Sequence, residues 1–304
     1  MQAEQELLVQ HSGIGTKRRM SRSRLGSDSS AMRYVRTIHQ ENITMKTLVF
    51  SDIHHRWKMV ADVLARETYD NAVFTGDYFD ARGPLDTLRD VGETALWLKD
   101  SLKNPKHIHL WGNHDVSYGF PRSKVAECSG FHQEKNRVIR SVLGPDDFDK
   151  LKFFHIEQGW LFTHAGFHPN YMPPFKEASL ENISHYLTEE TEKFFTDVRV
   201  NVRHWFLQAG YIRGGGSEVG GLLWCDSREF EPIQGIAQIF GHTIQREYPL
   251  CTRGDTGLDT ISSSEVLART FCQSDSWNVC LDCNSRYYGV IENGCLSMKP
   301  TIIK

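Results

Sequence analysis

The stretch Met45-Lys46-Thr47-Leu48-Val49-Phe50-Ser51-Asp52-Ile53-His54 decides the fold. An apolar, β-prone run suited to a buried strand stops abruptly on an acid and an imidazole. The pattern returns twice: Ala72-Val73-Phe74-Thr75 runs into Gly76-Asp77-Tyr78-Phe79-Asp80, and His107-Ile108-His109-Leu110-Trp111 into Gly112-Asn113-His114-Asp115. Helical stretches near residues 57–67 and 85–102 separate the three runs. Strands alternating with helices imply βαβ units and a mostly parallel sheet. In such a sheet the carboxyl ends of the strands line one crevice, so clusters far apart in sequence converge there.

Further along, the chain changes character. Gly144-Pro145 breaks it, and residues 153–156 and 160–163, joined around Gln158-Gly159, read as a hairpin that turns the sheet from parallel to mixed. Residues 169–174 read as a loop, 180–207 as one or two amphipathic helices, 236–240 as an apolar strand and 253–264 as loop. Residues 279–281 and 288–291 flank turns ahead of the Asn293-Gly294 hairpin signal. Thr163-His164-Ala165-Gly166 follows the hairpin strand and Gly241-His242-Thr243 follows the strand ending at Phe240, so five strand ends carry five polar clusters. No repeat or linker interrupts the body, which predicts one domain over residues 45–304. Residues 1–44, polar and without period, read as a flexible extension whose Lys17-Arg18-Arg19 and Ser21-Arg22-Ser23-Arg24 are solvated.

Composition bounds the function. The chain has 304 residues, 39% hydrophobic and 24% charged, with Lys+Arg 35 against Asp+Glu 38 and a net charge of -3. That balance belongs to a soluble globular protein and disfavours stable nucleic-acid binding. No run approaches the ~20 apolar residues of a membrane span. Seven cysteines, an odd number, with no N-terminal apolar signal region, predict the reducing cytoplasm rather than a disulfide scaffold. Cys280 and Cys283, with Cys272 and Cys295, are spaced too irregularly for a zinc site and read as buried free thiols. Gly214-Gly215-Gly216 lacks the Lys and Ser/Thr of a P-loop and reads as a lid or turn. Phe194, Phe195, Trp205 and Phe206 read as helix core, and His55 and His168 are left out of the ligand set.

Converging carboxylates repel one another unless a cation compensates, whereas neutral His and Asn add donors without charge. A metal centre reconciles the two, and its mixed oxygen and nitrogen donors suit Mn, Fe or Zn rather than Ca. Taken in order, Asp52-x-His54, Gly76-Asp77, Gly112-Asn113-His114-Asp115, the lone His164 and Gly241-His242 resemble the calcineurin-like metallophosphoesterase superfamily, over most of the chain after Met45. The resemblance implies an α/β fold, a four-layer α/β/β/α sandwich of mixed sheets flanked by helices. It also implies a cofactor of two divalent metal ions, Mn first, with Fe or Zn as alternatives. Carried over position by position, Asp52 and His54 bind one metal, Asp77 bridges both, and Asn113, His164 and His242 bind the second, while His114 acts on the substrate.

Within the superfamily the likeness is closest to the serine/threonine phosphoprotein phosphatase branch, carried by Gly76-Asp77-Tyr78-Phe79-Asp80, Leu161-Phe162-Thr163-His164-Ala165-Gly166 and Leu222-Leu223-Trp224-Cys225-Asp226. Ile244 follows Gly241-His242-Thr243 where many phosphodiesterases carry a second His, which favours monoesters. The chain departs from the branch at His55 (usually Gly), at Asp115 (usually Glu), and at Ala81, which separates Asp80 from Arg82. The second phosphate-binding Arg has no clear counterpart, Arg228 and Arg213 being the candidates.

Two metals about 4 Å apart that share Asp77 would acidify a bridging water to hydroxide and align it for in-line attack. His114 would protonate the leaving group as general acid, Asp80 would orient its ring, and Arg82 and Arg228 would grip the phosphoryl oxygens. The expected activity is phosphomonoester hydrolysis on a phosphorylated protein or a small phosphorylated metabolite. The alternative is a nucleotide pyrophosphatase or phosphodiesterase such as a dinucleoside polyphosphate hydrolase. A binding module that lost catalysis is disfavoured by the intact ligand set.

Overall fold

A computed structural model describes residues 45–81, 83–174, 178–254, 259–261 and 263–302, all within the unit Ile43–Lys304. The expected extension over residues 1–44, and Arg82, lie outside the described residues. The opening run forms β1 (Lys46–Phe50), followed by α1 (Trp57–Arg66), β2 (Asn71–Phe74), α2 (Leu88–Ser101) and β3 (His107–His109). Next come α3 (Asn113–Gly119), α4 (Gln133–Val142), α5 (Pro145–Phe148), the hairpin β4 (Phe154–Glu157) and β5 (Trp160–Thr163), and α6 (Leu180–Arg199). The remainder is strand: β6 (Ala237–Phe240), β7 (Leu250–Arg253), β8 (Asp259–Ile261), β9 (Phe271–Cys272), β10 (Trp277–Cys280), β11 (Tyr287–Glu292) and β12 (Cys295–Pro300).

The strands form two six-stranded sheets, ordered β3-β2-β1-β11-β12-β9 and β4-β5-β6-β10-β7-β8. Pairing within β1–β3 is parallel, with Leu48 opposite Ala72 and Phe74 opposite His109, as is that of β5, β6 and β10. The other pairs are antiparallel, so both sheets are mixed. Side-chain alternation explains why the opening run is apolar throughout. Val49, Val73 and Ile291 enter one core with Trp160, Phe162, Ile239 and Val279 of the second sheet. Leu48, Phe50, Phe74 and Val290 enter the other, with Val60 and Val63 of α1 and Val91, Ala95 and Leu98 of α2. The outer face of the second sheet is closed by α6, whose Phe194 lies 4.4 Å from Phe153 between ring centres. Helix, sheet, sheet and helix therefore stack as the resemblance implies.

Residues 180–207 split into α6 and a 3-10 turn at Trp205–Leu207, with Phe194 and Phe206 fully buried as expected of helix core. Two readings need correction. Residues 253–264 are not simply loop: β8 pairs with β7, because backbone hydrogen bonding to a neighbour holds a strand that lacks an apolar run. Cys272 and Cys295 are not free thiols but a disulfide; they are opposite each other on β9 and β12, 4.1 Å apart between Cα atoms. Cys280 and Cys283 are buried and free as expected. No helix among the described residues is long and apolar enough to cross a membrane.

Candidate functional site

The five polar clusters meet at the carboxyl ends of β1, β2, β3, β5 and β6. Each chain must turn sharply as it leaves its strand, and Asp52, His54, Asp77, Asp80 and His242 all adopt positive φ, between 40° and 68°. Such backbone costs energy for residues with a Cβ and persists only where the surroundings impose it. The motif glycines have a packing cause. A Cβ on Gly112 would fall on Asp77, and one on Gly241 would fall on Asp52 and Ser51, so the strand ends could not close together.

The side chains form two groups that share Asp77. Donor atoms of Asp52, His54 and Asp77 lie within 4.8 Å of one another, and so do those of Asp77, His164 and His242. His54 Nδ1 donates to Phe79 O at 2.9 Å and His164 Nδ1 to Thr75 O at 2.8 Å, which turns both Nε2 lone pairs toward Asp77, at 3.6 Å each. His164 Nε2 also lies 2.9 Å from Asn113 Oδ1 and 3.2 Å from His242 Nδ1, while His242 Nδ1 lies 2.8 Å from the same oxygen. Asn113 Nδ2 points to Cys128 Sγ at 3.3 Å, which fixes the amide with its oxygen inward. A lone pair on His164 thus faces a lone pair on Asn113. His242 Nε2, buried, has no partner among the described residues. Donors arranged in this way, with carboxylates alongside, fit divalent cations of the Mn, Fe or Zn type.

The electrostatics agree with that donor set. Burial, then the charges of Asp282 and Asp77, raise the Asp52 carboxyl well above the usual range. Burial would raise Asp77 too, but His164, His114 and His54 around it hold it below that range. His54 is pushed down to about 4, chiefly by burial, so its contact with Asp77 joins a carboxylate to a neutral imidazole. His242 is lowered by burial and by His164. His114 goes the other way: burial opposes its charge, but Asp77 and the hydrogen bond to Asp80 raise it well above normal. Its Nδ1 donates to Asp80 Oδ2 at 3.2 Å, which leaves Nε2 for the cleft.

All of this opens into a cleft of about 640 Å³ lined by His54, Asp77, Asn113, His114 and His242, together with Arg213 and Arg228. The structure brings every expected metal ligand together with His114 and Asp80. Arg228 also reaches the cleft, with its guanidinium held on Asp226 at 2.8 and 3.1 Å. Arg213 pairs with the same carboxylate at 2.8 Å and donates to His242 O at 3.1 Å. His55 and His168 stay out of the ligand groups: His55 bonds Thr94 Oγ1 at 2.9 Å, and His168 accepts from Asn170 N at 3.1 Å.

Sequence reasoning missed Asp282, two residues past β10, although it obeys the same rule of a polar residue following an apolar strand. It is buried against the cleft; its Oδ1 accepts from Asn284 N at 3.1 Å and its Oδ2 has no described partner. Burial, opposed by that N–H and reinforced by Asp77, pushes its carboxyl up to about 6. Arg56 and Asp86 line the cleft as well and were likewise not foreseen.

The family model for calcineurin-like phosphoesterases matches residues 45–246. Among solved structures, the chain is similar to a metallophosphoesterase from Sphaerobacter thermophilus, with 14% identity, 86% of this chain and 89% of that chain covered, and a TM-score of 0.43. It is also similar to a cold-active protein-tyrosine phosphatase of a psychrophilic Shewanella species, with 14% identity, 84% and 78% covered, and a TM-score of 0.47. A protein serine/threonine phosphatase from Saccharomyces cerevisiae gives 13% identity, 86% and 81% covered, and a TM-score of 0.42. The comparison with curated proteins finds no match.

Proposed function

The chain belongs to the calcineurin-like phosphoesterase family and is a metal-dependent phosphoester hydrolase, and from that premise we propose that it cleaves phosphomonoesters. The observation that carries this reading is the pair of ligand groups sharing Asp77, with the His114–Asp80 pair facing the same cleft. In this reading Asp52, His54 and Asp77 hold one divalent ion and Asp77, Asn113, His164 and His242 the other, with Mn favoured over Fe and Zn. When bound, such a pair supplies an acidified water and neutralises phosphoryl charge.

The chain's own residues do the rest. His114, its Nδ1 engaged by Asp80, gives the proton on Nε2 to the leaving oxygen as the P–O bond breaks and the bonding pair departs with that oxygen. Arg228 and Arg82 bind the non-bridging oxygens; for Arg228 this means leaving Asp226, a modest cost because its side chain is exposed. The substrate in this reading is a phosphorylated protein or a small phosphorylated metabolite. Ile244, exposed at the cleft where a second histidine would favour diesters, supports the monoester over the nucleotide phosphodiesterase alternative.

The test is hydrolysis of p-nitrophenyl phosphate by protein stripped of metal and reloaded with Mn. Turnover should need metal, vanish in Asp77→Asn, and fall by about 100-fold or more in a folded, metal-loaded His114→Asn. Faster turnover of bis-p-nitrophenyl phosphate than of the monoester would replace this reading with the phosphodiesterase one.

A further inference from the structure

A buried chain of alternating charge runs back from His114 and ends on residues that no motif marks. Asp80 spends Oδ2 on His114, and its other oxygen accepts from Tyr118 OH at 2.6 Å and from Lys135 Nζ at 2.8 Å. Lys135, on α4, is only 9% exposed. Its ammonium donates to three acceptors: Asp80 Oδ1, Asp86 Oδ2 at 2.7 Å and Gly130 O at 3.1 Å. Asp86 in turn faces His55 Nε2 at 3.4 Å, and His55 Nδ1 meets Thr94 Oγ1 on α2.

Burying an ammonium is costly, and an apolar side chain of the same length would fill the space more cheaply. What the ammonium adds is direction. A carboxylate bonded only through Oδ2 can rock about its Cβ–Cγ bond. With two donors on Oδ1 the plane of Asp80 is set, and Oδ2 is aimed at one nitrogen of one ring. Lys135 does not itself line the cleft; its acceptors Asp80, Asp86 and Gly130 do, and of these Asp80 alone bonds His114, so an effect of Lys135 on proton delivery passes through Asp80.

We infer that Lys135 is a positioning residue for proton delivery: it clamps Asp80 so that His114 Nε2 is held toward the leaving oxygen. The inference rests on the general-acid reading of His114. The proton moves from His114 Nε2 to that oxygen while the P–O bond breaks, and Lys135 neither gives nor takes one.

A lost proton donor hurts esters with basic leaving groups and spares those that depart unaided, so the readout is leaving-group dependence. Lys135→Met, with metal content matched to wild type, should lose about 10-fold in kcat on phenyl phosphate and less than about 2-fold on 2,4-dinitrophenyl phosphate. Lys135→Arg, which keeps the charge, should regain most of the phenyl phosphate rate. In a His114→Asn background Lys135→Met should cost nothing further, because residues acting as a unit are not additive. Should the methionine variant not fold, Lys135→Gln serves for the same ratio.

Equal losses on both esters would make Lys135 merely structural and overturn the inference, as would an undiminished rate on phenyl phosphate. Leaving-group dependence in His114→Asn without any in Lys135→Met would remove the role of Lys135 and leave the proposed function standing. Its absence in His114→Asn would remove the general acid and the inference together.

Discussion

At the scale of single residues, the site depends on a side chain that never faces the substrate. Asp115 is fully buried; it accepts from Asp77 N at 2.7 Å and Gly112 N at 2.9 Å through one oxygen and from Tyr78 N at 2.9 Å through the other. It thereby ties the turn after β2 to the start of α3, placing Asp77, common to the two donor groups, beside Asn113 and His114. Asp115→Ala would strand three buried N–H groups at about 1–3 kcal/mol each. Urea unfolding should therefore show a loss of about 3 kcal/mol or more, with activity falling further than stability because Asp77 moves. A loss below about 1 kcal/mol would show that water or a neighbour replaces the carboxylate. Sequence reading recognised Asp115 as a departure from the branch pattern but not its purpose, since two of its three partners are backbone N–H groups 37 and 38 residues away. Lys135 was illegible for the same reason. On α4 it has charged neighbours at Glu134 and Arg137, and only the tertiary fold distinguishes it from them. The proposed ligands were legible because each lies in a polar cluster that follows an apolar run.

At the scale of elements, one acid fastens α1 to the first sheet. Glu67, at the C-terminal cap of α1, takes Lys46 Nζ at 2.6 Å from β1, Tyr288 OH at 2.7 Å from β11 and Lys299 Nζ at 3.3 Å from β12. Burial would raise its carboxyl, but these donors outweigh it and hold the group down at about 2, against 4.5 unperturbed. A carboxyl lowered by folding stabilises the native state above its unfolded value and loses that contribution as pH falls through its folded value. The stability difference between wild type and Glu67→Gln should thus be full at pH 7, shrink below about pH 4.5 and be nearly gone at pH 2, read by urea titration at each pH. A difference independent of pH would mean that the glutamine loses packing rather than charge. Of the strands that Glu67 joins, β1 and β11 were readable as apolar runs, and β12 only through the Asn293-Gly294 hairpin signal ahead of it. By contrast β7, β8 and β9 were not, because their extended form comes from the partners they pair with, Val279 opposite Cys251 and Leu296 opposite Phe271. The Cys272–Cys295 bridge went unseen for the same reason: pairing across β9 and β12 brings together two cysteines 23 residues apart.

At the scale of the whole molecule, the two sheets converge on a crowd of carboxylates, and the fold carries that burden wherever a cation does not. Asp52 leaves β1 and Asp77 leaves β2 in the first sheet, while Asp282 follows β10 in the second. Burial and mutual repulsion raise Asp52, and Asp282 stands at about 6 in the fold against 3.8 unperturbed. Between those two values Asp282 binds more protons in the native state than in the unfolded chain, so its own contribution to the stability of metal-free protein falls as pH rises and is fully lost above about pH 6, while a buried neutral imidazole such as His54, at about 4, contributes with the opposite sign. A divalent ion bound among these groups reverses the sign, since it needs the ionised carboxylates and binds only the folded arrangement. At 100 times its dissociation constant one ion contributes about 2.7 kcal/mol, which for a domain of this size means several degrees in Tm. The gap in Tm between Mn-loaded and EDTA-treated protein should widen from pH 5 to pH 7.5, and Asp77→Asn, which removes the ligand common to both groups, should abolish most of it. Melting curves at the two pH values measure this directly. A gap that stays constant with pH, or survives Asp77→Asn, would place the stabilising ion somewhere other than between the two sheets.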